Sequence, residues 1–552
     1  MSPIRGSSRA SAPVRPRRRS WSPLGASLSA WLLAAGCSTV QPPLDEADAA
    51  LSGDTDEDGA SGGPQDGETG AESSAGGSDT GGTSGASSAG ETEPSPPPPE
   101  EELPEPQDLL EPVNEGLDGA CGGVEPRTWA LAVREQLSTT APAHARAAVL
   151  AEFPSLDEVS VRPWEFLNYY TFEYPLAPPG LVWPKAQMRK GQDGLGDMYE
   201  LQLAIAGPAL AEADRPAVHL TLALDNSGSM EGKALALLKS AGAALASRLR
   251  AGDTVALTTW NEADAILLPV TQVNGPNDPA VLAALAEFQV GGATDLQSAL
   301  KASYGLADEA YAATDINRVV VITGGGATAT DADLKEIAVR AVDAPGKPGI
   351  HLVGVGVGDP AMYRRSLVDA VARAGAGASL FVGSEEDAQR QLGDGFLGAL
   401  ALAALDVSVR LTLPPDLMLG EVTLDAKVSE AERVLLAPND RAVVHRTLRP
   451  CGAEVDPTGV VRAEVQWVDP ASGAAQKKTH EWKVGDLLAG DTGLLAKGAA
   501  VLAYAAALKG WQHGDLAAHA DALVKLAEAQ AKLPNDGELL EIEQVLAELM
   551  AP

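Results

Sequence analysis

Asp225, Ser227 and Ser229 place one carboxylate and two hydroxyls at alternate positions of the stretch LALDNSGSM, residues 222–230. Apolar, strand-forming residues run into them, and Gly228 permits a tight turn that can point all three oxygens at one spot. Further on, GGATDL sets Thr294 in a Gly-rich loop just ahead of a helical pattern. One carboxylate with three hydroxyls is a hard-oxygen set suited to a divalent cation, Mg2+ or Mn2+, with water and a substrate oxygen completing the coordination. So few protein charges leave such an ion an electrophile for an acidic side chain of a partner. A second apolar stretch, VVVITGGGATAT over 319–330, ends just as abruptly, but in Gly324, Gly325 and Gly326 with no carboxylate. Asp331 and Asp333 follow, and read as the start of the next helix because Thr330 and Asp333 have capping-box spacing.

Other chemistry is thin. The seven His are scattered without ligand spacing, no HExxH is present, and no GxSxG lies in the folded body. VGVGVGD has glycines but lacks the Lys-Ser/Thr of a phosphate loop, so it reads as a buried strand. Glu385 and Glu386 read as a solvated helix start. The expectation is a protein that is not an enzyme. The rival, an envelope hydrolase using the Asp225 cluster to activate water, lacks a nucleophile or general base paired with that cluster.

The elements that must position these residues alternate between strand and helix over 198–400. VHLTLALD, TVALTTW, AILLPVT, RVVVIT, IHLVGVGVG and SLFVG are strands, with helical patterns between them. This order predicts an α/β fold with a doubly wound, mainly parallel sheet, whose functional crevice lies beyond the carboxyl ends of its strands. Asp225 stands at one such end. From Leu405, DVSVRLTLP, EVTLDAKV, AVVHRTLRP, VVRAEVQWV and KKTHEWKVG read as an antiparallel β module. Ala- and Leu-rich helices occupy 491–552. Upstream, WALAVREQL and APAHARAAVLAEF read as helices, and the aromatics of VRPWEFLNYYTFEYP as packing onto a neighbouring domain, with a carbohydrate-stacking surface as the alternative.

Charge divides the chain sharply. Residues 1–40 hold six Arg and no acid, residues 41–120 hold 21 acids and no base, and the remainder holds 35 bases against 55 acids. A body with that acidic excess has no Lys and Arg cluster to neutralise phosphates, which argues against nucleic acid as a partner. The Arg-rich start, the apolar span LGASLSAWLLAAG and Cys37 read as an export signal over 1–37. Residues 38–120, rich in Gly, Ser, Asp, Glu and Pro, read as a disordered acidic linker. No later segment is expected to span a bilayer. Of the remaining cysteines, Cys121 and Cys451 are a candidate disulfide, with two free thiols as the alternative. The expected divisions are thus 1–37, 38–120, an accessory region over 121–197, the α/β domain over 198–400, the β module over 401–490 and terminal helices over 491–552.

DNSGSM, GGATDL and the strand and helix order between Val218 and Leu400 resemble the von Willebrand factor type A family. That resemblance implies a metal-ion-dependent adhesion site formed by Asp225, Ser227, Ser229 and Thr294. The family's third motif is Thr-Asp-Gly, whereas this chain has Thr323 followed by Gly324, which leaves a metal-free recognition surface on the same loops as the competing reading. LLAAGC resembles the bacterial lipoprotein cleavage motif, with Ala34 where Leu is usual, and implies lipidation of Cys37. VRPWEFLNYYTFEYP, the β module and LLAKGAAVLAYAAALKG resemble the flanking regions of a bacterial envelope subgroup of the same family. Together they imply an envelope protein held to the membrane through a lipid anchor only. Its ligand would be a protein or glycan; a structural scaffold is the alternative.

Overall fold

The computed structural model describes residues 125–131, 137–260, 266–291, 295–343, 347–420, 434–452 and 454–550. The export signal, the acidic linker, Cys37, Cys121, Thr294 and the stretch EVTLDAKV lie outside them. In chain order the elements begin with β1 (Arg127–Leu131), α1 (Thr140–Val149), α2 (Pro163–Tyr169), β2 (Trp183–Asp193) and β3 (Gly196–Ala206). Then come β4 (Val218–Leu224), α3 (Lys233–Ala246), β5 (Thr254–Thr259), β6 (Ile266–Gln272), α4 (Pro279–Glu287), α5 (Leu296–Ala310), β7 (Ile316–Thr323) and α6 (Asp331–Arg340). They continue with β8 (His351–Val357), α7 (Arg365–Ala374), β9 (Ser379–Val382), α8 (Glu385–Ala388) and α9 (Phe396–Leu400). The chain closes with β10 (Leu405–Leu413), β11 (Leu417–Leu419), β12 (Arg441–Pro450), β13 (Val460–Val468), β14 (Ala475–Lys483), α10 (Val484–Ala489), α11 (Gly493–Gln512), α12 (Ala517–Lys532) and α13 (Gly537–Leu549).

The strand and helix alternation builds a six-stranded sheet in the order β6-β5-β4-β7-β8-β9. All pairs are parallel except β5 with β6. Alternate residues of each strand feed opposite cores, as the period of two demands. Leu220, Leu222 and Leu224 join α3, α4 and α9 on one face, while Ala223, Val319, Val321 and Leu352 join α5, α6 and α7 on the other. Both faces are covered, which is why β4, β7 and β8 are buried along almost their whole length. The order reverses between β4 and β7, and that switch point opens the crevice of a doubly wound sheet.

Outside this domain, two antiparallel four-stranded sheets form a sandwich, β1-β10-β13-β14 and β11-β12-β3-β2. Two sequence expectations are corrected here. WALAVREQL was expected to be a helix, yet Arg127–Leu131 is a strand paired from Arg127 with Leu413 to Leu131 with Val409. Trp129 and Leu131, two apart, reach the sandwich core, so a waiting partner strand overrides local helix propensity. Likewise the division at 197/198 falls inside the β2–β3 hairpin, registered from Trp183 with Ala206 to Asp193 with Gly196. β3 pairs onward with β12, as Leu203 with Val444, so the hairpin belongs to the sandwich.

The accessory and terminal helices share one core. Phe166, Tyr170, Phe172 and Tyr504 are buried together, with the Phe166 and Tyr504 rings edge-on at 5.4 Å. These aromatics are packing residues and offer no stacking surface to a carbohydrate. The expectation that no late segment has the length to span a bilayer is also corrected: Gly493–Gln512 is long and apolar enough by length and composition. Here it is a core helix, with 13 of its 20 residues buried. Beneath the aromatics runs a closed ion network. Arg146 pairs with Asp387 and, at 2.7 Å, with Glu541; Arg390 reaches Glu538 and Glu541; Lys497 reaches Asp536 and Glu538. Leu137 and Thr139 add a short parallel contact to the outer edge of β9 through Ser379.

Candidate functional site

β4 and β7 are neighbours with Leu224 opposite Ile322, so Asp225 and Thr323 leave the sheet side by side at the switch point. The Asp225 N–H still donates to Ile322 O at 3.0 Å. Its carboxylate is buried and held twice. Oδ1 accepts from Ser227 N at 2.9 Å, and Oδ2 accepts from the Thr323 hydroxyl at 2.7 Å. The turn closes as a short 3-10 segment, Gly228–Met230, and the hydroxyls of Ser227 and Ser229 stand 2.9 Å apart. Ser227 is buried, whereas Ser229 faces solvent. The structure therefore brings Asp225, Ser227 and Ser229 together as the spacing predicts.

Thr294 lies outside the described residues, and the described residues nearest to it on either side are hydrogen-bonded. Gly291 N donates to Asn226 O at 2.9 Å, and Asp295 N to Trp260 O at 3.4 Å. Asp295 then caps α5 through Ser298 N. Asn226 Oδ1, buried in the same turn, has no hydrogen-bond partner.

The glycine run closes the far side. Gly324 N meets Met230 Sδ at 3.1 Å, and Gly325 N donates to the Thr323 hydroxyl at 3.0 Å. Gly325 has φ +82°, and a Cβ there would fall 2.3 Å from Arg364 O, so only glycine fits. Gly324 has no such constraint: its Cβ would meet Met230 Sδ at 3.1 Å and Val357 O at 3.8 Å. Thr330 and Asp333 form the expected capping box, which commits Asp333 to α6 rather than to the site. Residue-by-residue reading missed Thr323 as the direct partner of Asp225. Its signal was the place of Thr323 at the end of the strand that a doubly wound order sets beside β4.

A divalent cation suits part of this donor set. Neighbouring ligands of an octahedral Mg2+ with bonds of about 2.0–2.1 Å stand about 2.9 Å apart, which is the separation of the two serine hydroxyls. Charge fits less well. Among the described residues Asp225 is the one carboxylate placed there, and no group of three or more His, Cys, Asp or Glu could hold a metal. Elsewhere, Cys451 is disulfide-bonded, while Cys37 and Cys121 lie outside the described residues.

Residues 220–327 match the family model of the von Willebrand factor type A domain. The chain is 27% identical over 201 residues to the uncharacterized protein YfbK of Escherichia coli (strain K12), covering 36% of this chain and 34% of that protein. It is 24% identical over 245 residues to the uncharacterized protein sll0103 of Synechocystis sp., covering 44% and 56%. It thus spans about a third of one curated relative and just over half of the other. Among solved structures, the von Willebrand factor type A protein from Catenulispora acidiphila is similar at 14% identity and a TM-score of 0.39, with 68% of this chain and 91% of that one covered.

Proposed function

We propose, from the premise that the chain carries a von Willebrand factor type A domain, that it is a non-enzymatic binding protein of the bacterial cell envelope. Domains of this kind generally mediate protein–protein interaction. In this reading Cys37 carries a lipid, the acidic 38–120 segment spaces the body from the membrane, and the switch-point crevice takes a protein or glycan ligand. One observation carries the reading: Asp225, Ser227 and Ser229 converge at the crevice with Ser229 open to solvent. A Mg2+ or Mn2+ ion would be held by the serine hydroxyls, with Asp225 and Thr294 completing the set, and would supply an electrophile to an acidic group of the ligand. The chain's own part is to orient: Thr323 and Ser227 N fix the Asp225 carboxylate so that Ser227 and Ser229 keep their facing positions.

A second reading is favoured by Gly324 and by the double use of the Asp225 carboxylate: the same loops bind a ligand without metal. Calorimetric titration of Mn2+ into the full chain separates the two. The cation reading expects a saturable heat that Asp225→Ala abolishes, and a protein-and-glycan envelope extract retained only without chelator. Retention indifferent to chelator and to Asp225→Ala would overturn it.

A further inference from the structure

His144 on α1 is fully buried, edge-on to Tyr363 at 5.2 Å and tilted against Phe381 at 4.9 Å. Its Nε2 lies 2.7 Å from Pro360 O. A carbonyl only accepts, so Nε2 carries the proton. Nδ1 has no hydrogen-bond partner, and burial holds the ring neutral by lowering its pKa to about 4. Pro360, Tyr363 and Arg364 belong to the segment between β8 and α7. The Tyr363 ring lies so close over Gly356 that a Cβ there would fall 2.3 Å from it. The Arg364 main chain is the wall against which Gly325 turns.

From Gly325 the contacts run straight to the crevice. Gly325 N donates to the Thr323 hydroxyl, and that hydroxyl donates to Asp225 Oδ2. The accessory region grips this segment and the following α7 at further points: Glu158 with Arg364 at 3.1 Å, Glu165 with Arg365 at 2.6 Å and Arg162 with Asp369 at 3.2 Å. Only His144 among them bonds the part of the segment ahead of Arg364, and it does so from the interior.

We propose that His144 is a positioning residue for the crevice: by fixing Pro360 it holds Arg364 against Gly325, and so holds the Thr323–Asp225 pair in place. The accessory region then acts on the binding loops from behind rather than at the ligand. The positioning stands on these contacts alone; its effect on cation affinity rests on the reading given above.

Hydrogen exchange of the full chain tests it, comparing wild type with His144→Phe, which keeps a ring but removes the donor, and His144→Gln, which restores an amide N–H near the Nε2 position. His144→Phe is expected to speed exchange of residues 323–330 at least about tenfold, with 460–468 in the sandwich unchanged and His144→Gln close to wild type. Unchanged exchange at 323–330 would overturn the proposal, as would a uniform rise at 460–468, which would make His144 a packing residue of the whole body, or a failure of His144→Gln to restore protection. Mn2+ titration of the same proteins is the second arm, with an affinity loss of about tenfold expected for His144→Phe. If wild type itself takes no Mn2+, the cation reading fails while the exchange arm still decides the positioning.

Discussion

Two polar clusters of this molecule differ in how their charge is settled. At the joint between α1, α8 and α13, cations and carboxylates are paired in a closed network, with Asp387 buried against Arg146. At the crevice, one buried carboxylate is held by a hydroxyl and a backbone N–H, and among the described residues no cation pairs with it. Arg390, paired with Glu538 and Glu541, also lies over the Tyr169 ring at 4.1 Å, so the same cation serves the network and the packing. A cluster that neutralises itself is architecture. One left incomplete, with a hydroxyl facing solvent, is where a ligand can contribute.

The comparison breaks most severely at the joint. Arg146→Met removes the cation and leaves the buried Asp387 without its ion-pair partner, while Glu541 keeps Arg390, so a loss of about 3–5 kcal/mol is expected from urea unfolding. A variant within about 1 kcal/mol of wild type would mean that the network contributes no more than surface pairs do.

A smaller effect follows from acid, along the seam between the two regions. His144 titrates near 4 in the folded chain, against about 6.5 unfolded. Between those values the unfolded chain binds the extra proton, so folding stability is full above about pH 6.5 and falls as pH drops toward 4. Its slope is up to about 1.4 kcal/mol per pH unit for this one group. Measured from pH 7 to 4, the unfolding midpoint of wild type should fall relative to that of His144→Gln, which has no group to protonate in that range. Parallel curves would remove the histidine from the acid response.

The smallest stability change, and the one that sharpens the comparison at the crevice, is Gly324→Asp. The new Cβ meets only the flexible end of Met230 closely, so the fold should hold within about 1 kcal/mol. A second carboxylate should raise Mn2+ affinity roughly tenfold or more. Gly325→Asp is the contrast, since its side chain would strike the Arg364 main chain and should lower the melting temperature instead. Unaltered Mn2+ affinity in a folded Gly324→Asp would favour the metal-free reading.

Much of the site was legible without coordinates because its cues are local. The alternation of Asp225, Ser227 and Ser229 around Gly228 sets a turn by itself, and the Thr330–Asp333 capping box needs only one helical turn. The aromatics at 164–174 announced packing, though not their partner. Illegible were facts that depend on which strands end up adjacent. Thr323 bonds Asp225 from 98 residues away, and Gly325, unlike Gly324, is closed to a side chain both by its positive φ and by the Arg364 main chain behind it.

The strand and helix alternation, the polar turn and the run of glycines without a carboxylate after Thr323 are properties of the sequence alone, since periodicity and side-chain chemistry act over a few residues. Tertiary structure decided that Arg127–Leu131 is a strand, that the β2–β3 hairpin joins strands more than 200 residues later in the chain, and that His144 bonds Pro360, 216 residues away. In each case the deciding energy is a contact between distant segments, a strand partner or a buried carbonyl, which no local propensity encodes.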